Sequence, residues 1–243
     1  MSSIYFLNNR FYELFLKIGE SVYQTLIYDN RYKFILEGLM NTVVIALLSV
    51  IIGTIIGIIV ALIRNNYDKN GKMKIANTIA KWYVDIIRGT PVILQLMIIY
   101  YVIFKSVDVS VILVGVLAFG INSGAYVSEI IRAGINSVPY GQTEAGYALG
   151  LNYNQVMQHI ILPQAIRNIL PALGNEFITL LKETSVGAYI GIIELTKASD
   201  IIASRTYDYF FPLILIAIIY LIMTLGLSKL VQKLERRLKY VRN

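Results

Sequence analysis

The sequence contains no cysteine and a single histidine, His159. Disulfides and thiolate metal sites are therefore excluded, and one imidazole cannot build a metal centre alone. Charge is scarce as well. Asp, Glu, Lys and Arg make up 15% of the 243 residues, against roughly a quarter in a soluble domain. The chain has no G-x-x-x-x-G-K-[ST] loop, no H-E-x-x-H and no G-x-S-x-G. It therefore does not hold ATP through a phosphate loop, and it offers no hydrolase constellation. The opening residues, MSSIYFLNNRFYELFLKIGES, lack a basic region ahead of an apolar core and a small-residue cleavage site. They do not read as a signal peptide.

Apolar residues are what the chain has in excess: 56% of the total, with a mean hydropathy of +0.63. They fall in runs of roughly twenty, the length that crosses a ~30 Å hydrocarbon core as helix. VVIALLSVIIGTIIGIIVALI, at 43–63, has no polar face that a soluble core helix would need. The chain reads as an all-α integral membrane protein with five transmembrane helices. The spans are placed at 34–63, 75–104 (interrupted by RGTP at 88–91), 109–133, 164–193 and 210–230. Residues 34–243 form one membrane domain, and 1–33 a separate segment along the outer interface.

The net charge of +7 points to cytoplasmic loops rather than nucleic acid. Arg64, Lys69, Lys72, Lys74 and Lys81 crowd 64–81, and Lys229, Lys233, Arg236, Arg237, Lys239 and Arg242 crowd the C-terminal end. The positive-inside rule then puts 64–81, 134–163 and the C-terminus in the cytoplasm and the N-terminus outside. Arg10 and Lys17 run against that placement.

Polar groups inside a span face protein or a wet path, because lipid exposure costs several kcal/mol. Asn122, Tyr126 and Glu129 share one helical face, with Arg132 one turn beyond Glu129. Either an interfacial ion pair or the lining of a path accounts for them. Asn168, Asn175, Thr179 and Lys182 form a second stripe, beside Glu176 and Glu183, facing a partner subunit or a pore. In the second span Thr90 is a natural helix cap and Pro91 a natural first residue. A helix from Pro91 to Phe104 is about 21 Å long, too short to cross alone. Such a break is either a kink with Arg88 at the interface or a broken-helix substrate site. Gly53 and Gly57 make a G-x-x-x-G contact pattern.

Between the third and fourth spans lies TEAGYALGLNYNQVMQHIILP, 143–163. Thr143 is placed as the cap of a short helix, with Glu144 in its first turn. Ala145, Ala148 and Leu149 give it a small apolar face, and Gly150 stops it. Asn152 caps a second helix that runs to Pro163. Two short cytoplasmic helices joined at a glycine are either a docking element or a plain loop.

The spacing Glu144-Ala145-Gly146, three residues, Gly150, nine residues, Ile160-Ile161-Leu162-Pro163 resembles the EAA motif of permease subunits of bacterial ABC importers. Gly146 stands where that motif has a second Ala. EGLMNTVVIALLSVIIGTIIGI (37–58), RGTPVILQL (88–96), SGAYVSEIIRAGI (123–135) and LPQAIRNILPALGNEFITLLKETSVGAYI (162–190) are similar to the polar amino acid uptake subfamily. The resemblance spans about 34–240. It implies a five-helix core working as a dimer, with a second copy or a paralogue, in the bacterial cell membrane. It implies a coupling helix at Glu144, Ala145, Gly146, Ala148, Leu149 and Gly150, seated in a separate ATPase. ATP and Mg would be bound by that partner, with no cofactor in this chain and no enzyme activity of its own. An extracytoplasmic solute-binding protein would deliver an amino acid, moved inward by alternating access. On this reading Arg88, Asn122, Glu129, Lys182, Glu183, Thr184 and Ser185 line the path or its gate. A related ABC permease for cystine, an opine or an organic cation, or a stand-alone transporter, are the competing expectations.

Overall fold

The computed structural model describes residues 13 and 16–240; the expectation for Arg10 and most of 1–15 falls outside them. Among the described residues the elements are helical throughout, with no strand. After the short helical turns Tyr23–Ile27 and Tyr28–Asn30 come α1 (Tyr32–Asn70) and α2 (Lys74–Gly89). A helix α3 (Val92–Ile98) then tightens into a further turn, Ile99–Ile103, and α4 covers Val111–Asn136. The loop region holds α5 (Tyr140–Ala148) and α6 (Tyr153–Val156), which continues through Met157–Ile161 into α7 (Leu162–Glu183). A 3-10 turn, Thr184–Ile190, leads to α8 (Leu195–Thr206) and finally α9 (Phe210–Tyr240).

Three of these helices, α1, α4 and α9, are long and apolar enough to cross a membrane. A fourth crossing is made if α2 and the stretch Val92–Ile103, bent by 111° at their break, count as one span. Helix α7 is not apolar enough to join them, since it carries Arg167, Glu176, Lys182 and Glu183.

Several expected boundaries move. The stretch 64–81 is not a loop: α1 runs on to Asn70, and the only non-helical residues are Gly71–Met73. The apolar run ends at Ile63, but nothing there breaks a helix until Gly71, which takes φ +63°. The helix of the fourth span ends at Glu183 rather than at 193, because after the charged pair Lys182–Glu183 the chain tightens into the 3-10 turn and then turns at Gly191, φ +87°. Thr90 does not cap α3. Pro91 occupies that position, and Thr90 closes α2 with its hydroxyl donating to Ile86 O. Thr143 and Glu144 likewise sit inside α5, which Pro139 starts. The prolines dominate in both cases, because a ring that fixes φ and lacks N–H suits a helix entrance.

Packing rests on close approach. The parallel pair α1 and α4 is the main seam of the protein. Gly53 meets Ser123 and Gly124, and Gly57 meets Val127, as the G-x-x-x-G pattern requires. The core beneath it gathers Ile45, Leu96, Val114, Phe119, Leu180 and Ile192 from five segments. At the far end of α1, a methyl group on Gly38 would lie 2.9 Å from the carbonyl carbon and oxygen of Glu194. Asn41 donates to Ile193 O at 2.8 Å alongside it. Backbone cannot yield as a side chain does, so Gly38→Ala should cost about 1–3 kcal/mol. A lowered melting temperature of the purified protein checks this; an unchanged one would mean that α8 and its lead-in are free to shift.

Candidate functional site

The break between α2 and α3 leaves the last carbonyls of α2 without helical partners. Gln95 reaches back to fill the gap. Its amide nitrogen donates to Ile87 O at 2.8 Å, to Thr90 O at 3.1 Å and to Thr90 Oγ1 at 2.7 Å. Its oxygen accepts from Asn122 Nδ2 at 2.8 Å. Asn122 is 3% exposed. The broken helix is therefore latched to the middle of α4 by one amide pair. Gln95→Leu keeps the bulk and removes every one of these bonds. It should destabilise by about 2–3 kcal/mol and lower transport several-fold, whereas Asn122→Leu on top should add little. Thermal unfolding of the two single variants and the double variant measures that coupling.

About two turns further along α4, Glu129 is the acidic centre of a cationic cluster. It accepts a close charge-assisted hydrogen bond from Arg64 of α1. Arg132 Nε stands 3.5 Å and Arg88 4.0 Å from its oxygens. Arg132 also meets Asp68 at 3.5 Å, and the Arg88 guanidinium lies 5.4 Å from the Tyr126 ring centre. Three arginines face two carboxylates. The sequence pattern placed Asn122, Tyr126 and Glu129 on one face, and that face is where α2, α3 and α1 are pinned to α4.

The remaining path candidates lie elsewhere. The N-terminal part of α7 is held to the C-terminal end of α4 by Asn168 Nδ2 donating to Ser137 Oγ at 2.7 Å. Glu176, midway, accepts from Ser123 Oγ at 2.8 Å. Lys182, Glu183, Thr184 and Ser185 sit at the opposite end of α7, where Leu180 and Ile190 pack against the start of α4. The structure does not bring them to Arg88 and Glu129. Lys182 is exposed and Glu183 half-buried, while Thr184 is buried and donates to Leu181 O. Asn175 and Lys182 on α7 are open to the surface.

The loop element is built as two helices hinged at Gly150, which takes φ +78°. Asn152 caps α6 with a reciprocal pair: its side chain accepts from Gln155 N, and Gln155 Oε1 accepts from Asn152 N. Gly146, the departure from the motif, is the one buried residue of α5. A methyl group there would lie 2.7 Å from Val156 and 2.9 Å from Ile160, so glycine lets α5 fold flat on the following helix. Apart from the half-buried Thr143, the rest of α5 faces out. Tyr140 is 71% and Leu149 78% exposed, and Glu144, Ala145 and Ala148 are exposed beside them. Asn65 of α1 donates to the Tyr153 hydroxyl at 3.2 Å, which ties this element to the residue next to Arg64.

Tyr140 at the start of α5 and Leu149 at its C-cap leave this short helix with apolar side chains open to the surface. Its setting is now decided by comparison. Residues 53–240 match the model of the family described as binding-protein-dependent transport system inner membrane component. The chain belongs to that family. It is thus a multi-pass inner membrane permease, not an enzyme; in this family ATP is hydrolysed by a separate ATPase subunit, and a solute-binding protein serves the permease. The chain is 42% identical over 213 residues to a protein assigned as the glutamine transport permease GlnP of Rickettsia bellii (strain RML369-C), covering 87% of this chain and 95% of that one. It is 41% identical to the arginine transport system permease protein ArtQ of Bacillus subtilis (strain 168), covering 85% and 93%. A crystal structure of an amino acid ABC transporter with histidines shares 44% identity over 85% of this chain and 94% of that one, with a TM-score of 0.80.

The residues that sequence reading missed in this permease are Gln95, Arg64 and Ser123. Arg64 looked like loop charge. Gln95 had a readable signal, lying one turn past a helix break, where a long amide can reach back to orphan carbonyls.

Proposed function

We propose that this permease moves amino acids inward by alternating access, driven by an ATPase that grips α5. The observation that carries it is the exposed apolar and acidic face of α5, hinged at Gly150 on the EAA spacing. The names of the relatives described above, permeases for glutamine and arginine, support the substrate class. In this reading α1, the bent α2–α3 pair, α4, α7 and α9 form a five-helix core, and the segment expected at 1–33 gives way to it at Tyr32, where α1 begins. Two such chains, identical or paralogous, would place the exposed polar residues of α7, Asn175 and Lys182, toward one another around the path. The N-terminal end lies outside and the C-terminal end in the cytoplasm.

ATP-driven closure would move α5 and α6 together. Differential contact with two states is the only way such energy can shift the path. Arg88, Asn122 and Glu129 would govern the inner half of that path, and Lys182, Glu183, Thr184 and Ser185 its outer end. The test is reconstitution in liposomes with the ATPase encoded beside it and the cognate binding protein. Radiolabelled glutamine, arginine, histidine and cystine would be compared with an opine and an organic cation. ATP-dependent uptake of one or a few amino acids is the expected result. Uptake without ATP would remove the proposal, and uptake of the organic cation alone would replace the substrate class.

A further inference from the structure

Helix α9 has 31 residues, about 46 Å of helix, where about 20 residues already cross the hydrocarbon. Measured from Phe210, the hydrocarbon ends near residue 230. Beyond that level the helix continues with a defined polarity. Lys229, Lys233, Arg236 and Arg237 are all exposed. Their spacing of i, i+4, i+7 and i+8 puts four cations within a stripe of about 100°. The opposite face is occupied: Val231 packs on Gly174, where a methyl group would approach it to 2.6 Å, and Glu235 and Leu238 line the same side against α7. No ion pair reaches the four cations among the described residues, and Leu230, 64% exposed, lies beside them.

A solvated tail would scatter its charges around the helix. Among the described side chains the four cations are collected on the side turned away from the protein, with Glu235 on the other, starting at the level where headgroups begin. We infer that this stripe binds the anionic lipid headgroups of the inner leaflet. Each lysine or arginine near such a surface favours the anionic lipid by roughly five-fold, and their long stems allow the charges to settle at headgroup level. The occupant is the bilayer itself, and the stripe fixes the inner end of α9 relative to it. The inference rests on the orientation proposed above.

The experiment uses the absence of native cysteine. Leu230→Cys, labelled with bimane in the intact permease–ATPase complex, reports the adjacent lipid when brominated phosphatidylglycerol or brominated phosphatidylcholine is the quencher. The expected preference for phosphatidylglycerol is about five-fold or more. It should fall close to one in the variant Lys229→Gln, Lys233→Gln, Arg236→Gln, Arg237→Gln. Should that variant fail to assemble, raising salt to about 0.5 M on the unaltered stripe must weaken the preference instead. Equal quenching by both lipids, or a preference that the variant retains, overturns the inference. Loss of ATPase co-purification in the variant, with the lipid preference unchanged, would reassign the stripe to the protein partner. Orientation is read separately: a cysteine added after Asn243 should react with impermeant maleimide in inside-out vesicles and not in whole cells. Reaction in whole cells would sink the orientation and leave the lipid measurement standing.

Discussion

Glu129→Gln should abolish most uptake while shifting the melting temperature clearly downward. The change keeps the shape and removes one charge. What remains is Arg64, Arg88 and Arg132 gathered around a neutral amide, with Asp68, which pairs with Arg132, the one carboxylate left to the cluster among the described residues. The side chains of Arg64 and Glu129 are 16% and 26% exposed, so solvent softens the penalty without cancelling it. Leaving a half-buried cation unpaired costs about 2–4 kcal/mol, somewhat below the range for fully buried pairs. The informative companion is Arg64→Gln combined with Glu129→Gln. If the pair acts as a clamp, the double variant is no worse than Glu129→Gln alone, and a double-mutant cycle returns a coupling of about 1.5–3 kcal/mol. If Glu129 instead touches substrate, stability barely changes and the half-saturating substrate concentration rises. Thermal unfolding read beside uptake kinetics separates the two outcomes.

The second large effect is expected with no loss of stability at all. Leu149→Glu places a charge on a side chain that is 78% exposed in the isolated permease, and surface changes of this kind usually stay within about 0.5 kcal/mol. In the complex the same position would be buried in the ATPase groove, where an unpaired carboxylate costs several kcal/mol. ATP-dependent uptake should therefore fall by at least about one hundred-fold, the equivalent of roughly 2.7 kcal/mol. Melting of the permease alone should not move. Co-purification with the ATPase checks the cause. A variant that keeps the ATPase and full uptake would show that α5 is a loop with no energetic role. Glu144→Lys, on the same exposed face, should behave alike.

Much of this molecule was readable from composition and spacing. Apolar runs located α1, α4 and α9, and the break at 88–91 was placed correctly because Pro91 starts a new helix there. The hinge at Gly150 and the cap at Asn152 followed from local chemistry, and the pairing of Glu129 with Arg132 from helical spacing. What stayed hidden was long-range. Arg64 stands 65 positions from Glu129, and Gln95 stands 27 from Asn122. Only the parallel packing of α1 on α4 and the 111° bend bring them together. Hydropathy also misjudged where α1 ends, because helices continue past the lipid boundary when nothing stops them. Gly146 was readable as a departure from the motif but not as a packing requirement, which depends on Val156 and Ile160 lying directly above it.

Helix α1 has 39 residues and no proline, about 58 Å of uninterrupted rod. At one end Asn65 and Arg64 hold Tyr153 and Glu129. At the other, Asn41 and Thr42 hold Ile193 and Leu195, with Gly38 pressed on Glu194. Between them Gly53 and Gly57 rest on α4 like a bearing. A beam loaded at both ends over a central fulcrum does not absorb motion; it inverts it. A tilt of about 5° would carry each tip about 2–3 Å in opposite senses, so closure on one side of the bilayer and opening on the other would be a single movement.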